Sequence, residues 1–509
     1  MNMKRLLDTA RRRPRDVAIV GLSCLLILLL CCTMIVRITY PFDLEWMEGA
    51  MVDHVHQVLE GKRLYGPPSL RFVPFIYPPV FTWLASSIAL VLGPGYLALR
   101  LVSVAATAAT MACIYCFVRR EGAGWVESLM ATGLYAGCYP LSGYYYDVGR
   151  VDASSVCFML WAAFAVRFGR SVGSAMGAAA LLIVAYHTKQ TSILLALPLG
   201  AYLWWVERRR AFWFWGAWIA LGLGTSVALD TVHQGWFGYY THRVVGGHAI
   251  AWDQLLAVLR GEIVIPFALA LGVACFPYLS RSAIGRKHAR LYYALLTIGL
   301  LVIAGLGRIH TGGWINVLMP IHAGVAVVTG WGLFAAREHN ESNPLILRFI
   351  YLLLGVQLIM MIWDPRPAIP TQADRQAGHA WLNHVRSIHG DVWTTHRGHL
   401  TFLAGKKRHA HMMAIQDVMR STADFRGAKS RLAMEVNEAL ASDQFARMLM
   451  DNDDFWFMPS VQQHMVRDGD HWFSQPDVFW PRAGARLRRR SATFQNANRR
   501  WNTNPQNPR

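Results

Sequence analysis

The sequence predicts an all-α polytopic membrane bundle with a small extracytoplasmic α/β domain at its C-terminus. The bundle has about 11 spans, with the N-terminus in and the C-terminus out. Three observations carry this. The 509 residues are 54% hydrophobic and only 16% charged, with a mean hydropathy of +0.26, where a soluble domain of this size holds nearer a quarter charged residues. Apolar stretches of span length recur from residue 17 to residue 363. Beyond Trp363-Asp-Pro-Arg-Pro the composition turns ordinary and soluble.

The first element, Met1 to Asp16, is basic and precedes the apolar run Val17–Ile35. That run is too long for a signal-peptide core and lacks a small-residue cleavage site, so it reads as a retained span behind a cytoplasmic N-terminus. A span needs roughly 17–25 apolar residues, with shorter ones in tight bundles. Candidate spans are 17–38, 97–118, 125–142, 153–167, 172–186, 192–206, 211–229, 263–279, 291–307, 315–335 and 345–363. Basic tufts at Arg119/Arg120, Arg167/Arg170, Arg208–Arg210, Arg281–Arg290 and Arg337 alternate with connections poor in Lys and Arg. Placing every tuft inside orients the chain. Pro79 to Gly93 is short and bracketed by prolines and glycines. Counting it as a crossing inverts the alternation, so it is expected to rest in or re-enter the outer leaflet.

This threading puts the first outer loop (39–96), Tyr144–Asp152, His187–Thr191, Asp230–Glu262 and Arg308–Trp314 on one face, converging over one mouth of the bundle. The net charge of +19 belongs to the tufts, so it reads as a topology signal and not as a nucleic-acid surface. All eight cysteines fall inside apolar runs, as small core residues.

The first loop places Asp43, Glu45 and Glu48 within six residues, beside Phe42 and Trp46. Clustered acids against apolar surface hold a carboxyl with a raised pKa, suited to a general base, or a metal; helix capping and solvation explain the spacing equally well. Next, Tyr144-Tyr-Tyr-Asp-Val-Gly-Arg-Val-Asp152 sets Arg150 between Asp147 and Asp152. An Arg so placed meets an anionic head group or holds the acids, while Asp152 also suits a helix N-terminus. Lys189, Arg308 and His310 are cations where the charge rule disfavours them, either as snorkelling anchors or as contacts for lipid phosphate or an anionic substrate. Histidines 233, 242 and 248 match no metal spacing. No Walker, dinucleotide or zinc-protease motif is present.

The C-terminal part reads as an α/β domain over 364–481, with helices at Ala373–Ile388 and Lys429–Met450, strands at Asp391–Thr395 and Asp454–Met458, and a disordered tail at 482–509. Its cluster His396, His399, His409 and His411 with Asp417 offers side chains that bind metal, against which their spacings fit no standard site.

Taken together, Glu48-Gly49, Gly61 to Tyr65, Tyr77-Pro78-Pro79, Arg150-Val-Asp152 and Gly313-Trp-Ile-Asn316 with Pro320 resemble the GT-C class of membrane glycosyltransferases. The likeness is closest to the protein-mannosyltransferase and lipid A aminoarabinose-transferase branch (family 39-like) and covers roughly residues 17–335. The branch has an Asp-Glu pair where this chain has Met47-Glu48. The resemblance implies a multi-pass enzyme of the cell (inner or plasma) membrane. It would move a sugar from a polyprenyl-phosphate donor to a hydroxyl of a glycan, lipid or protein acceptor on the extracytoplasmic face, with inversion. A first-loop carboxylate would be the base: Glu48 first, then Asp43 and Glu45. Asp152 would position the acceptor or the base. Arg150, with Asp147, Lys189, Arg308, His310 and Tyr77, would hold the donor and its departing phosphate. No cofactor is required; the resemblance leaves divalent metal use open. The rival readings are a transporter or flippase of lipid-linked sugars, which needs mid-span acids or an internal repeat, and a non-catalytic envelope-assembly scaffold.

Overall fold

The computed structural model describes residues 14–279, 287–340, 343–442, 444–451, 455–470, 478–484 and 492–496. The basic N-terminal residues 1–13, and Arg281 and Arg286 of the fourth tuft, lie outside them. The chain is mostly helical, with a four-stranded sheet near its C-terminus.

Among the described residues, six helices are long and apolar enough to cross a membrane: Arg15–Ile38, Tyr96–Arg120, Val151–Phe168, Arg208–Val232, Ala289–Ile309 and Ile315–His339. The expected single span 263–279 is instead part of a pair, Trp252–Val264 and Ala268–Leu279, bent by 83°. Pro266 stands at the break and cannot donate into a helix. Gln357 answers the opened backbone there, donating to the Pro266 carbonyl at 2.9 Å and accepting from the Ala270 amide at 3.2 Å, as a helix broken at membrane depth requires. The expected crossings 172–186, 192–206 and 345–363 correspond to the shorter apolar helices Val172–Tyr186, Gln190–Val206 and Leu345–Met360, and 125–142 to the 13-residue helix Trp125–Gly137. The segment set aside as non-crossing forms a 13-residue helix, Val80–Leu92.

Arg208–Val232 turns Phe212, Ile219, Leu223 and Val227 outward, as a lipid-facing surface does. Trp204, Trp205 and Trp213 are exposed beside Arg208–Arg210, where an aromatic ring meets both phases. Basic-tuft residues meet one another. Arg167 pairs with Glu121 at 2.6 Å and donates to the Lys287 carbonyl at 3.0 Å, while Arg210 donates to the Val166 carbonyl at 3.1 Å.

The C-terminal domain carries the helices Gln372–Ser387, Gly398–Leu403, Met412–Arg420, Ala428–Ala441 and Met458–His464. Its strands are β1 (Asp391–Thr394), β2 (Phe445–Met450), β3 (Met465–Asp470) and β4 (Ala492–Asn496), in the order β1-β2-β4-β3. β1 and β2 run parallel; β4 is antiparallel to both its neighbours. Three expectations are corrected. The helix read over 429–450 divides, because Phe445–Met450 pairs with two strands. The strand read over 454–458 is a turn at 455–457 leading into a helix; Asp454 lies outside the described residues. Within the expected disordered tail, Phe494 is buried opposite Met448 and draws 492–496 into the sheet; residues 485–491 and 497–509 lie outside the described residues.

This domain rests on the first loop. The Ala483 amide donates to the Leu44 carbonyl at 2.8 Å, the Ala410 amide to the Leu70 carbonyl at 2.8 Å, and Phe42 packs against Gly378 and Phe479.

Candidate active site

The first-loop acids are buried, and each has a different partner. Glu48 opens the helix Glu48–Leu59 and is fully buried. Arg100 grips it with two bonds, Nε to Oε1 at 2.8 Å and Nη2 to Oε2 at 2.7 Å. The Leu44 and Gly149 amides add bonds at 2.8 and 2.7 Å. A buried carboxylate is tolerated only when paired and hydrogen-bonded in this way. A Cβ at Gly149 would come within 2.7 Å of Leu99 and 3.0 Å of Glu48 Cγ, so glycine is what lets this amide reach the carboxylate.

Glu45, also fully buried, accepts from Arg150 Nη1 at 2.7 Å, the Tyr145 hydroxyl at 3.1 Å and the Met47 amide at 3.2 Å. Burial raises its pKa, against the pull of Arg150. Asp43 accepts from the Tyr96 hydroxyl at 2.9 Å through Oδ1, while Oδ2 is buried without a hydrogen-bond partner. Burial pushes this carboxyl up to about 7, with Arg397 pulling the other way.

The second acidic segment is tied in behind. Asp147 is paired with Arg37 at 3.1 Å and accepts from the Tyr139 hydroxyl at 2.7 Å, which places it in the supporting structure. Asp152, in the first turn of Val151–Phe168, accepts from Lys189 at 2.6 Å and from Asn316 at 2.9 Å. Arg150 spans from Glu45 to the Tyr77 hydroxyl, 2.9 Å away.

These segments surround one cavity of about 360 Å³. Its polar lining includes Arg150, Lys189, His310, Arg420, Asp417 and Asn316; Leu194, Val245, Leu306, Val317 and Met413 supply apolar walls. Trp46, Tyr77, Tyr145 and Trp314 complete it. The expected convergence of the first loop, Tyr144–Asp152, His187–Thr191, Asp230–Glu262 and Arg308–Trp314 is therefore observed as contact around a common hollow. A smaller hollow beside it is lined by Asp152, Ser155, Lys189 and Asn316.

Of the expected substrate-binding residues, Tyr77, Arg150, Lys189 and His310 line the cavity. Arg308 is engaged by Glu262 at 2.8 Å and donates to the Gly313 carbonyl at 3.2 Å; with Asp147, it is not in the lining. Among the other lining residues, sequence reading passed over Arg420, and noted Trp46 only as a neighbour of the first-loop acids, Asp417 only among the C-terminal histidines and Asn316 only inside a motif. Nothing in local spacing links residue 417 to residue 150.

A second cavity of about 700 Å³ lies between the first-loop helix and the C-terminal domain, bounded by Asp53, His54, Lys62, Arg71, Lys407 and His409. Asp53 is pushed up to about 8 by burial, against the pull of Arg408. The C-terminal histidines form no single cluster, although the rings of His396 and His411 pack together with centroids 5.6 Å apart. His409 lies 3.5 Å from Asp391, His411 Nε2 3.0 Å from the Trp46 carbonyl, His396 Nδ1 2.9 Å from the Thr395 hydroxyl and His399 4.0 Å from Asp53. Among the described residues no three His, Cys, Asp or Glu side chains form a metal-sized group.

Residues 77–236 match the model of the dolichyl-phosphate-mannose-protein mannosyltransferase family. No curated protein matches the chain by sequence. Solved structures of similar fold include ArnT from Cupriavidus metallidurans bound to undecaprenyl phosphate, with 12% identity, a TM-score of 0.58, and coverage of 94% of this chain and 98% of that one. ArnT in the apo state is similar at 13% identity and a TM-score of 0.57, with the same coverage. The expected GT-C likeness is thus met twice over: in sequence, with the dolichyl-phosphate-mannose-protein mannosyltransferases across 77–236, and in fold, with ArnT across nearly the whole chain.

Proposed function

We propose that this protein is a membrane glycosyltransferase that takes a sugar from a polyprenyl-phosphate donor on the extracytoplasmic face. The observation that carries the reading is the cavity itself, cationic at Arg150 and Lys189 and apolar along Leu194, Val245, Leu306 and Val317. That pairing of surfaces suits an anionic phosphate joined to an isoprenoid tail. The family match over 77–236 and the fold shared with a protein bound to undecaprenyl phosphate support it.

In this reading the donor phosphate meets Arg150 and Lys189. Asp152 and Asn316 orient Lys189, and Glu45 and Tyr77 orient Arg150. The acceptor hydroxyl attacks the anomeric carbon as the bond from that carbon to the phosphate oxygen breaks. Polyprenyl phosphate departs with the electron pair, and the configuration inverts. Preorganised cations are worth most at this moment, because charge grows on the leaving oxygen. Glu45 takes the acceptor's proton. Of the three first-loop acids it alone is bonded to cavity-lining residues, namely Arg150, Tyr145 and Met47. Glu48, with four donors already in place, serves as the anchor of the loop.

Comparing glycolipids and glycoproteins between a deletion strain and strains carrying Glu45→Gln or Glu48→Gln tests this. The reading expects one glycan to disappear on deletion and stay absent with well-expressed Glu45→Gln. Unchanged glycans on deletion would overturn it.

A further inference from the structure

We infer that Asp417 and Arg420, both from the C-terminal domain, form the sugar-recognition face of the donor cavity, where Asp417 accepts hydrogen bonds from hydroxyls of the donor's sugar ring. This rests on the donor-site reading above and names what part of that site sees the sugar.

The helix Met412–Arg420 belongs to the soluble domain by sequence, yet it is fastened to the membrane part at both ends. At its start, His411 Nδ1 accepts from the Met413 amide at 3.1 Å, leaving the Nε2 proton for the Trp46 carbonyl at 3.0 Å. At its end, the Ser421 hydroxyl donates to the Val244 carbonyl at 2.9 Å and the Thr422 amide to the Gly247 carbonyl at 3.1 Å. His248 Nε2 donates to the Asp417 carbonyl at 2.8 Å. Side chains on rigid, doubly tethered elements hold the geometry that recognition needs.

Asp417 is 3% exposed and is the one carboxylate among the described residues lining this cavity. A carboxylate repels phosphate, so its place is beside the uncharged part of the donor, away from the groups that hold the anion. Arg420 Nη2 is bonded to Asp417 Oδ1, while Arg420 Nε is buried without a partner. The guanidinium lies against Gly312, where a Cβ would come within 2.7 Å of it; the φ of +87° there also favours glycine. A carboxylate with a neighbouring guanidinium offers charge-assisted acceptors and donors to adjacent hydroxyls. Sites built to bond a hydroxyl reject ligands lacking it far better than apolar pockets do.

The test uses the full chain purified in lipid nanodiscs, with affinities for bare polyprenyl phosphate and for polyprenyl-phosphate mannose, glucose and arabinose. Wild type is expected to prefer at least one sugar-bearing lipid over bare lipid by tenfold or more. Asp417→Asn, and independently Arg420→Gln, should reduce that preference to less than threefold, while bare-lipid affinity and thermal midpoint stay near wild type. If wild type fails to bind bare polyprenyl phosphate, the donor-site reading falls first. If it binds bare lipid but prefers no sugar-bearing lipid, only the present inference is overturned. Two further results would also overturn it: both variants weakening bare and sugar-bearing lipid equally, or losing transfer with the sugar preference intact.

Discussion

Arg100 donates from Nε and Nη2 to the two oxygens of Glu48, at 2.8 and 2.7 Å, and the remaining acceptor capacity of that carboxylate is taken by the Leu44 and Gly149 amides. Both side chains are fully buried. Removing one partner strands a buried charge, at a cost of about 3–5 kcal/mol. Arg100→Ala should therefore lower the thermal midpoint in detergent sharply. Glu45→Gln leaves this pair intact but takes the charge partner from the buried Arg150, so it should also lower the midpoint, and it should abolish transfer in the protein that remains folded. The comparison of midpoints and transfer rates across these variants checks the division of labour.

Asp152 joins Lys189 to Asn316 beneath the cavity. Asp152→Asn should release Lys189 from its position and lower kcat, through poorer support of the leaving phosphate, by roughly ten- to a hundredfold, the scale of a lost charged hydrogen bond of about 1.5–3 kcal/mol. A change confined to KM for the acceptor would instead assign Asp152 to acceptor binding.

Asp43 has a sign that can be tested. Burial raises its carboxyl to about 7, far above its unfolded value, so the folded state holds the proton longer than the unfolded one does. Its contribution to stability is complete below about pH 4 and is lost as pH rises to about 7, at roughly 1.4 kcal/mol per unit of pH. Relative to wild type, Asp43→Asn should gain stability steadily from pH 5 to pH 7 and level off above. Paired melting curves across that range check this; a constant difference would show that Asp43 is ionised throughout.

Much of the helical frame was legible because span-length apolar runs and basic tufts are local properties. The broken span was not, since it depends on Pro266 meeting Gln357 from a distant helix. The first-loop acids were legible as a cluster, but their roles were not. Arg100 lies 52 residues from Glu48 and Arg150 lies 105 from Glu45, and the three acids differ only through such partners. Arg308 read as a free outer cation for the same reason, its partner Glu262 being 46 residues away. Asp417 stood among histidines that suggested a metal, while the tertiary fold turns it toward a cavity it shares with Arg150 and Lys189.

The central claim is that Arg150 and Lys189 hold a lipid-linked phosphate. The most direct measurement is the affinity of the nanodisc-embedded protein for polyprenyl phosphate, for wild type, Arg150→Ala and Lys189→Ala. The loss expected for each variant is tenfold or more, about 1.4 kcal/mol per decade, with unchanged affinity for the neutral polyprenol. Equal affinity of all three proteins for the phosphate-bearing lipid would contradict the account.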